Sequence, residues 1–140
     1  MIKSILLIED DELDVISVKR TLSKLTFPYE LFIASNGREA VDFLDTKSND
    51  ALPDVILLDL NMPKMNGIEF LQNIRPQLRY KDIKVFVMTT SNETSDWSRT
   101  HELGISGYII KPMSYTDNIK NSDSMEAFMQ FHLTKIFSES

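Results

Sequence analysis

The run Val55-Ile56-Leu57-Leu58 ends abruptly at Asp59, and this boundary constrains the fold more than any other feature of the chain. Four residues are too few for a helix, and an unbroken apolar run leaves no polar face for water. Such a run reads as a central strand of a parallel sheet, covered on both faces. Residues 5–8 repeat the pattern, ending in Glu9, Asp10 and Asp11. Further strands are expected at 29–34, 83–88 and 108–110. Helical spacing lies between them: Val15, Val18, Leu22 and Leu25 predict a helix over 13–25. Asn36-Gly37 opens a second helix to about Leu44, a third covers 67–74 and stops near Arg75-Pro76, and a fourth covers 94–103. Residues 46–52 are polar and read as a loop. Met125, Phe128, Met129, His132, Leu133, Ile136 and Phe137 share one face of a last helix, with Asp123 and Glu126 suited to its start. Five β-then-α units imply an α/β fold with right-handed crossovers and helices on both faces of the sheet.

Composition narrows the function classes. A chain of 140 residues, 42% hydrophobic and 26% charged, has the size and balance of one globular unit. No cysteine is present, which excludes disulfide and thiolate chemistry and fits a reducing cytoplasm. The net charge is −6 and Lys and Arg form no cluster, which argues against nucleic-acid binding. No stretch approaches the ~20 apolar residues of a membrane span, and the apolar run at 5–8 is too short for a signal peptide.

In an open parallel sheet, ligands bind beyond the carboxyl ends of the strands. The residues following each run are therefore the candidates: Glu9, Asp10 and Asp11 after the first, Asp59 after the third, Thr89, Thr90 and Ser91 after the fourth, and Lys111 after the fifth. Crowded carboxylates repel and resist dehydration, and a hard divalent cation such as Mg²⁺ resolves both problems through oxygen ligation. An aspartate beside that cation is suited to attack phosphorus, with a lysine and a hydroxyl to meet the phosphoryl oxygens.

Glu9-Asp10 after a strand, Asp59-Leu60-Asn61-Met62-Pro63 followed by Gly67, Thr89 closing the fourth strand, and Gly107-Tyr108-Ile109-Ile110-Lys111-Pro112 together resemble the receiver domain of two-component response regulators. The resemblance spans roughly residues 3 to 113 with its motifs in order. It implies a doubly wound, flavodoxin-like sheet of five parallel strands, ordered 2-1-3-4-5, with five helices. It also implies that Asp59 is phosphorylated, that Mg²⁺ is held by Glu9, Asp10, Asp59 and the backbone carbonyl of Asn61, and that Thr89 and Lys111 contact the phosphoryl group. Tyr108 would change exposure as Thr89 moves inward. The implied phosphodonor is a sensor histidine kinase in the cytoplasm. The remaining residues are taken up by the last helix, so no output domain is expected and the signal would pass by contact with a downstream protein.

Plainer readings stand beside these. Asp11, Glu12 and Asp14 fit a helix start through the helix dipole. His101 and His132 have no second ligand at metal spacing, and the methionines read as core filler. Phe131 points away from the apolar face of its helix and is either an ordinary exposed ring or part of a partner or dimer surface, the latter formed by the fourth helix, fifth strand and last helix. The rival activity is a Mg²⁺-dependent aspartyl-phosphate phosphohydrolase, which typically needs an acid/base aspartate two residues after the nucleophile. That position is Asn61. Two stretches depart from the common receiver plan. The polar 46–52 segment resembles the longer loop of single-domain receivers that serve phytochrome-type kinases, and 113–122 delays the last helix.

Overall fold

The computed structural model describes residues 2–24, 27–60, 65–89 and 102–110, with the backbone alone at 89 and 108–110. Its elements run β1 (Lys3–Ile8), α1 (Glu12–Leu22), β2 (Tyr29–Ala34), α2 (Gly37–Asp45), β3 (Val55–Asp59), α3 (Gly67–Ile74), β4 (Lys84–Thr89) and β5 (Gly107–Ile110). The strands form one five-stranded sheet in the order β2-β1-β3-β4-β5, and every pair is parallel. This is the strand order and direction expected for a flavodoxin-like sheet. The fourth helix up to residue 101, the last helix, the 113–122 segment, His101, His132 and Phe131 lie outside the described residues.

The continuous apolar runs divide their side chains between two cores because strand side chains alternate. Leu6, Ile8, Ile56, Leu58, Val85 and Val87 face a core closed by Ala40, Val41 and Leu44 of α2 and by Phe70, Leu71 and Ile74 of α3. Ile5, Leu7, Val55, Leu57, Phe86 and Met88 face a second core closed by Val18 and Leu22 of α1. All five residues of β3 are buried, as expected for a strand covered on both sides. Full burial of one such aliphatic side chain contributes about 1.5–3 kcal/mol, so the β1–β3–β4 centre is the rigid base on which the strand ends sit.

Helix starts are set by local hydrogen bonds. Asp11 caps α1, its carboxylate accepting from the Leu13 and Asp14 amides, in line with its reading as a helix-start residue. Asn36 caps α2 through the Glu39 amide at 2.9 Å. Asn66 and Glu69 form a reciprocal capping box on α3, each side chain accepting the other's backbone N–H at 2.9 Å. Some boundaries differ from the sequence reading. β1 begins at Lys3, because Ser4 and Lys3 still pair with β2. β4 runs 84–89 instead of 83–88, since the Ile83 amide closes a turn on the Tyr80 carbonyl and leaves the ladder. α1 stops at Leu22, where Ser23 caps it through its own hydroxyl and amide. The polar 46–52 loop contains a 3₁₀ turn at Asn49–Ala51.

Candidate functional site

At the carboxyl edge of the sheet, β1 and β3 lie side by side with Ile8 opposite Leu58. The residues that follow, Glu9 and Asp59, therefore emerge next to each other. Glu9 is 2% exposed and Asp59 is 3% exposed, while Asp10 is open to solvent. One carboxylate oxygen from each of Glu9, Asp10 and Asp59 lies within 4.8 Å of the others. Placing three carboxylates at that spacing, two of them buried, raises both repulsion and desolvation cost. The donor set is all oxygen, compact and partly open on the Asp10 side. That combination fits a hard divalent cation that retains waters, and it does not fit a soft, thiolate-seeking metal.

Three backbone features hold this corner. The Glu9 amide donates to the Ala34 carbonyl at 3.0 Å, extending the β1–β2 ladder to the first acid. The Leu60 amide donates to the Met88 carbonyl at 3.2 Å, and Asp59 stands opposite Met88 in the ladder. Gly67 then donates to the Leu60 carbonyl at 3.2 Å, and a Cβ there would lie 2.8 Å from the Asp59 carbonyl oxygen and the Leu60 Cα. Only glycine allows the start of α3 to approach the Asp59 backbone this closely.

Thr89 is the last residue of β4, opposite Ile110, the last residue of β5. The Thr89 backbone thus shares the carboxyl edge with Asp59, and Tyr108 stands opposite Val87. The side chains of Thr89 and Tyr108, and the whole of Asn61 and Lys111, fall outside what is described. A cleft of about 360 Å³ opens beside Glu9 and Asp10, walled by Val15, Ile16, Ile33 and Ser35. Ile16 and Ile33 in this wall are exposed.

Sequence reasoning overlooked the Asn66–Glu69 capping box, although Asn66 followed three residues later by Glu69 is its signature. It also overlooked Met65, whose φ of 71° and carbonyl contact with the Gly37 amide leave no pattern in the sequence.

Comparison with known proteins agrees with this geometry. The family model for the response regulator receiver domain matches residues 5–122. The chain is 36% identical over 129 residues to response regulator Rcp1 of Synechocystis sp., covering 90% of this chain and 88% of that protein. Among solved structures, the Mn(2+)-bound form of response regulator Rcp1 matches with a TM-score of 0.78 at 36% identity, covering 92% of this chain and 93% of the other. The phosphorylated cyanobacterial phytochrome response regulator RcpA matches with a TM-score of 0.81 at 32% identity, covering 96% of each chain. No helix among the described residues is long and apolar enough to cross a membrane. A parallel sheet in the order 2-1-3-4-5, an acidic cluster at its carboxyl edge and a family match over most of the length lead to one conclusion: this chain belongs to the response regulator receiver domains of two-component signal transduction.

Proposed function

We propose that Asp59 is the phosphoacceptor of this receiver and that it takes its phosphoryl group from a sensor histidine kinase with Mg²⁺ bound at the acidic cluster. The observation that carries this reading is the convergence of Glu9, Asp10 and Asp59 to within 4.8 Å at the carboxyl edge of the sheet. Glu9, Asp10, Asp59 and the Asn61 backbone carbonyl would hold the ion, which when bound draws in phosphoryl oxygens and offsets the charge that develops on them. The Asp59 carboxylate oxygen attacks phosphorus. The phosphorus–nitrogen bond of the donor phosphohistidine breaks as the aspartyl phosphate forms, and the donor imidazole keeps the bonding pair and takes up a proton. Burial of Asp59 excludes bulk water from the nucleophile, while exposure of Asp10 leaves the donor an approach.

Thr89 and Lys111 then contact the phosphoryl group from the ends of β4 and β5, and Tyr108 shifts as Thr89 moves. The change is a population shift: the phosphoryl group must interact more favourably with the active packing than with the inactive one. It is read by a downstream protein at the fourth helix, β5 and last-helix face, which also serves for homodimerisation. The likeness to the phytochrome response regulator RcpA supports a phytochrome-type kinase as donor. The absence of a long apolar helix among the described residues is compatible with a cytoplasmic site of action. We read the protein as a switch and not a turnover enzyme.

The test is incubation with a small acyl phosphate and Mg²⁺, with the labelled residue mapped by mass spectrometry. Wild type is expected to carry the label on Asp59, and Asp59→Asn is expected to carry none. Persistent labelling of Asp59→Asn would remove the assignment.

A further inference from the structure

The acidic cluster is bordered by backbone hydrogen bonds that link neighbouring strand ends, Glu9 to Ala34 and Leu60 to Met88, and that tie the start of α3 to the end of β3, Gly67 to Leu60. One further bond differs from these because it joins the start of one helix to the loop before another. The Gly37 amide, at the start of α2, donates to the Met65 carbonyl in the β3–α3 connection at 3.1 Å. It ties the segment after β2, the strand neighbouring β1 and Glu9, to the segment after Asp59.

Two observations mark this contact as specific. Met65 has φ of 71°, and among the described residues it is the one non-glycine residue in that left-handed region. A Cβ on Gly37 would lie 2.4 Å from the Met65 carbonyl oxygen and 2.8 Å from its Cγ, so no other residue fits without displacing the β3–α3 backbone. The Met65 side chain packs, partly buried, against the core shared by α2 and α3.

Resting on the phosphoacceptor reading above, we propose that Gly37 and the Met65 carbonyl are positioning residues, setting the β3–α3 connection against α2 so that Asp59 keeps its spacing from Glu9 and Asp10 for the divalent cation. The effect runs through the backbone bond and not through the Met65 side chain. This separates positioning from general packing. Gly37→Ala pushes the connection away from α2. Met65→Asn keeps the carbonyl and tolerates positive φ, and loses only side-chain packing.

The measurement is Mg²⁺ affinity by isothermal titration calorimetry at a temperature where each variant is folded. Gly37→Ala is expected to weaken Mg²⁺ binding about tenfold, the scale on which residues supporting metal ligands act. Met65→Asn is expected to lose thermal stability yet keep its Mg²⁺ affinity within about twofold, because the carbonyl that accepts the Gly37 amide is retained. By reciprocity, Mg²⁺ saturation of the wild type should slow hydrogen exchange at the Gly37 amide about tenfold, a readout that survives if Gly37→Ala does not fold. Unchanged affinity in a folded Gly37→Ala, equal losses in both variants, or exchange at Gly37 indifferent to Mg²⁺ would each overturn the inference. Asp59→Asn run in parallel separates the two levels. If it binds Mg²⁺ as wild type does, the metal-site reading itself fails; if it alone is weakened, only the role of Gly37 and Met65 fails.

Discussion

The two edges of the sheet are built on opposite principles. At the amino edge, polar side chains tie neighbouring segments together, although the Nε atoms of Arg75 and Arg79 are buried without a hydrogen-bond partner among the described residues. Asp54 accepts the Ser4 amide at 2.8 Å, and the Tyr80 hydroxyl donates to Asp45 at 2.8 Å. Arg75 donates to the Tyr80 and Ile83 carbonyls at 3.1 and 2.9 Å, with a longer contact of 3.4 Å to Lys81. Arg79 donates to the Lys47 carbonyl, and the Lys47 ammonium sits about 5 Å from the Phe32 and Phe43 ring centres. At the carboxyl edge, three carboxylates share one corner. The amino edge is arranged to hold the fold, and the carboxyl edge gathers acidic oxygens at a spacing suited to a divalent cation. Stability concentrated at one end lets the other be loaded for function.

Substitutions at the two edges should therefore have opposite signs. The largest effect is expected from Arg75→Ala, which orphans the carbonyls that Arg75 joins between α3 and β4; a loss of about 3 kcal/mol in denaturant unfolding is expected. Tyr80→Phe removes one part-buried hydrogen bond and should cost about 1 kcal/mol. It also tests a pH dependence. Burial first, and then Asp45, push the Tyr80 hydroxyl from its ordinary 10.0 up to about 12. The folded state thus favours the protonated phenol, so this stabilisation is intact below pH 10 and is lost as pH rises from 10 towards 12. Tyr80→Phe should flatten that alkaline decline. At the other edge, Asp59→Asn in the absence of divalent cation should raise stability by about 1 kcal/mol, because it removes a buried like charge beside Glu9. The smallest effect belongs to Lys47→Ala, where losing the cation–π contacts should cost about 0.5–1 kcal/mol. If Asp59→Asn destabilised the cation-free protein as Arg75→Ala does, the contrast between the edges would break.

Much of this was legible in the sequence because the relevant signals are short and local. An unbroken apolar run such as 55–58 specifies a doubly covered strand, and a polar residue at its end marks where solvent begins. Parallel topology brought Glu9, Asp10 and Asp11 to the same edge as Asp59, since every strand of a parallel sheet delivers its carboxyl end there, and the resemblance singled out Glu9 and Asp10. The one-residue shift of β4 was harder. Ile83 is apolar and buried like a strand residue, yet its amide belongs to the turn at Tyr80. The left-handed Met65 and the glycine-only contact at Gly37 were invisible, because they depend on a helix start and a loop far apart in sequence meeting in space. The pairing of Tyr80 with Asp45 left no local signal, because it spans 35 residues.

Thermal unfolding of wild type and Asp59→Asn, each with and without saturating Mg²⁺, tests the central claim most directly. Without Mg²⁺ the variant should melt above the wild type. At a Mg²⁺ concentration about a hundredfold above its dissociation constant, linkage should stabilise the wild type by about 2.7 kcal/mol, stabilise the variant much less, and reverse the order. A wild type indifferent to Mg²⁺, or a variant that melts below it under both conditions, would contradict the account.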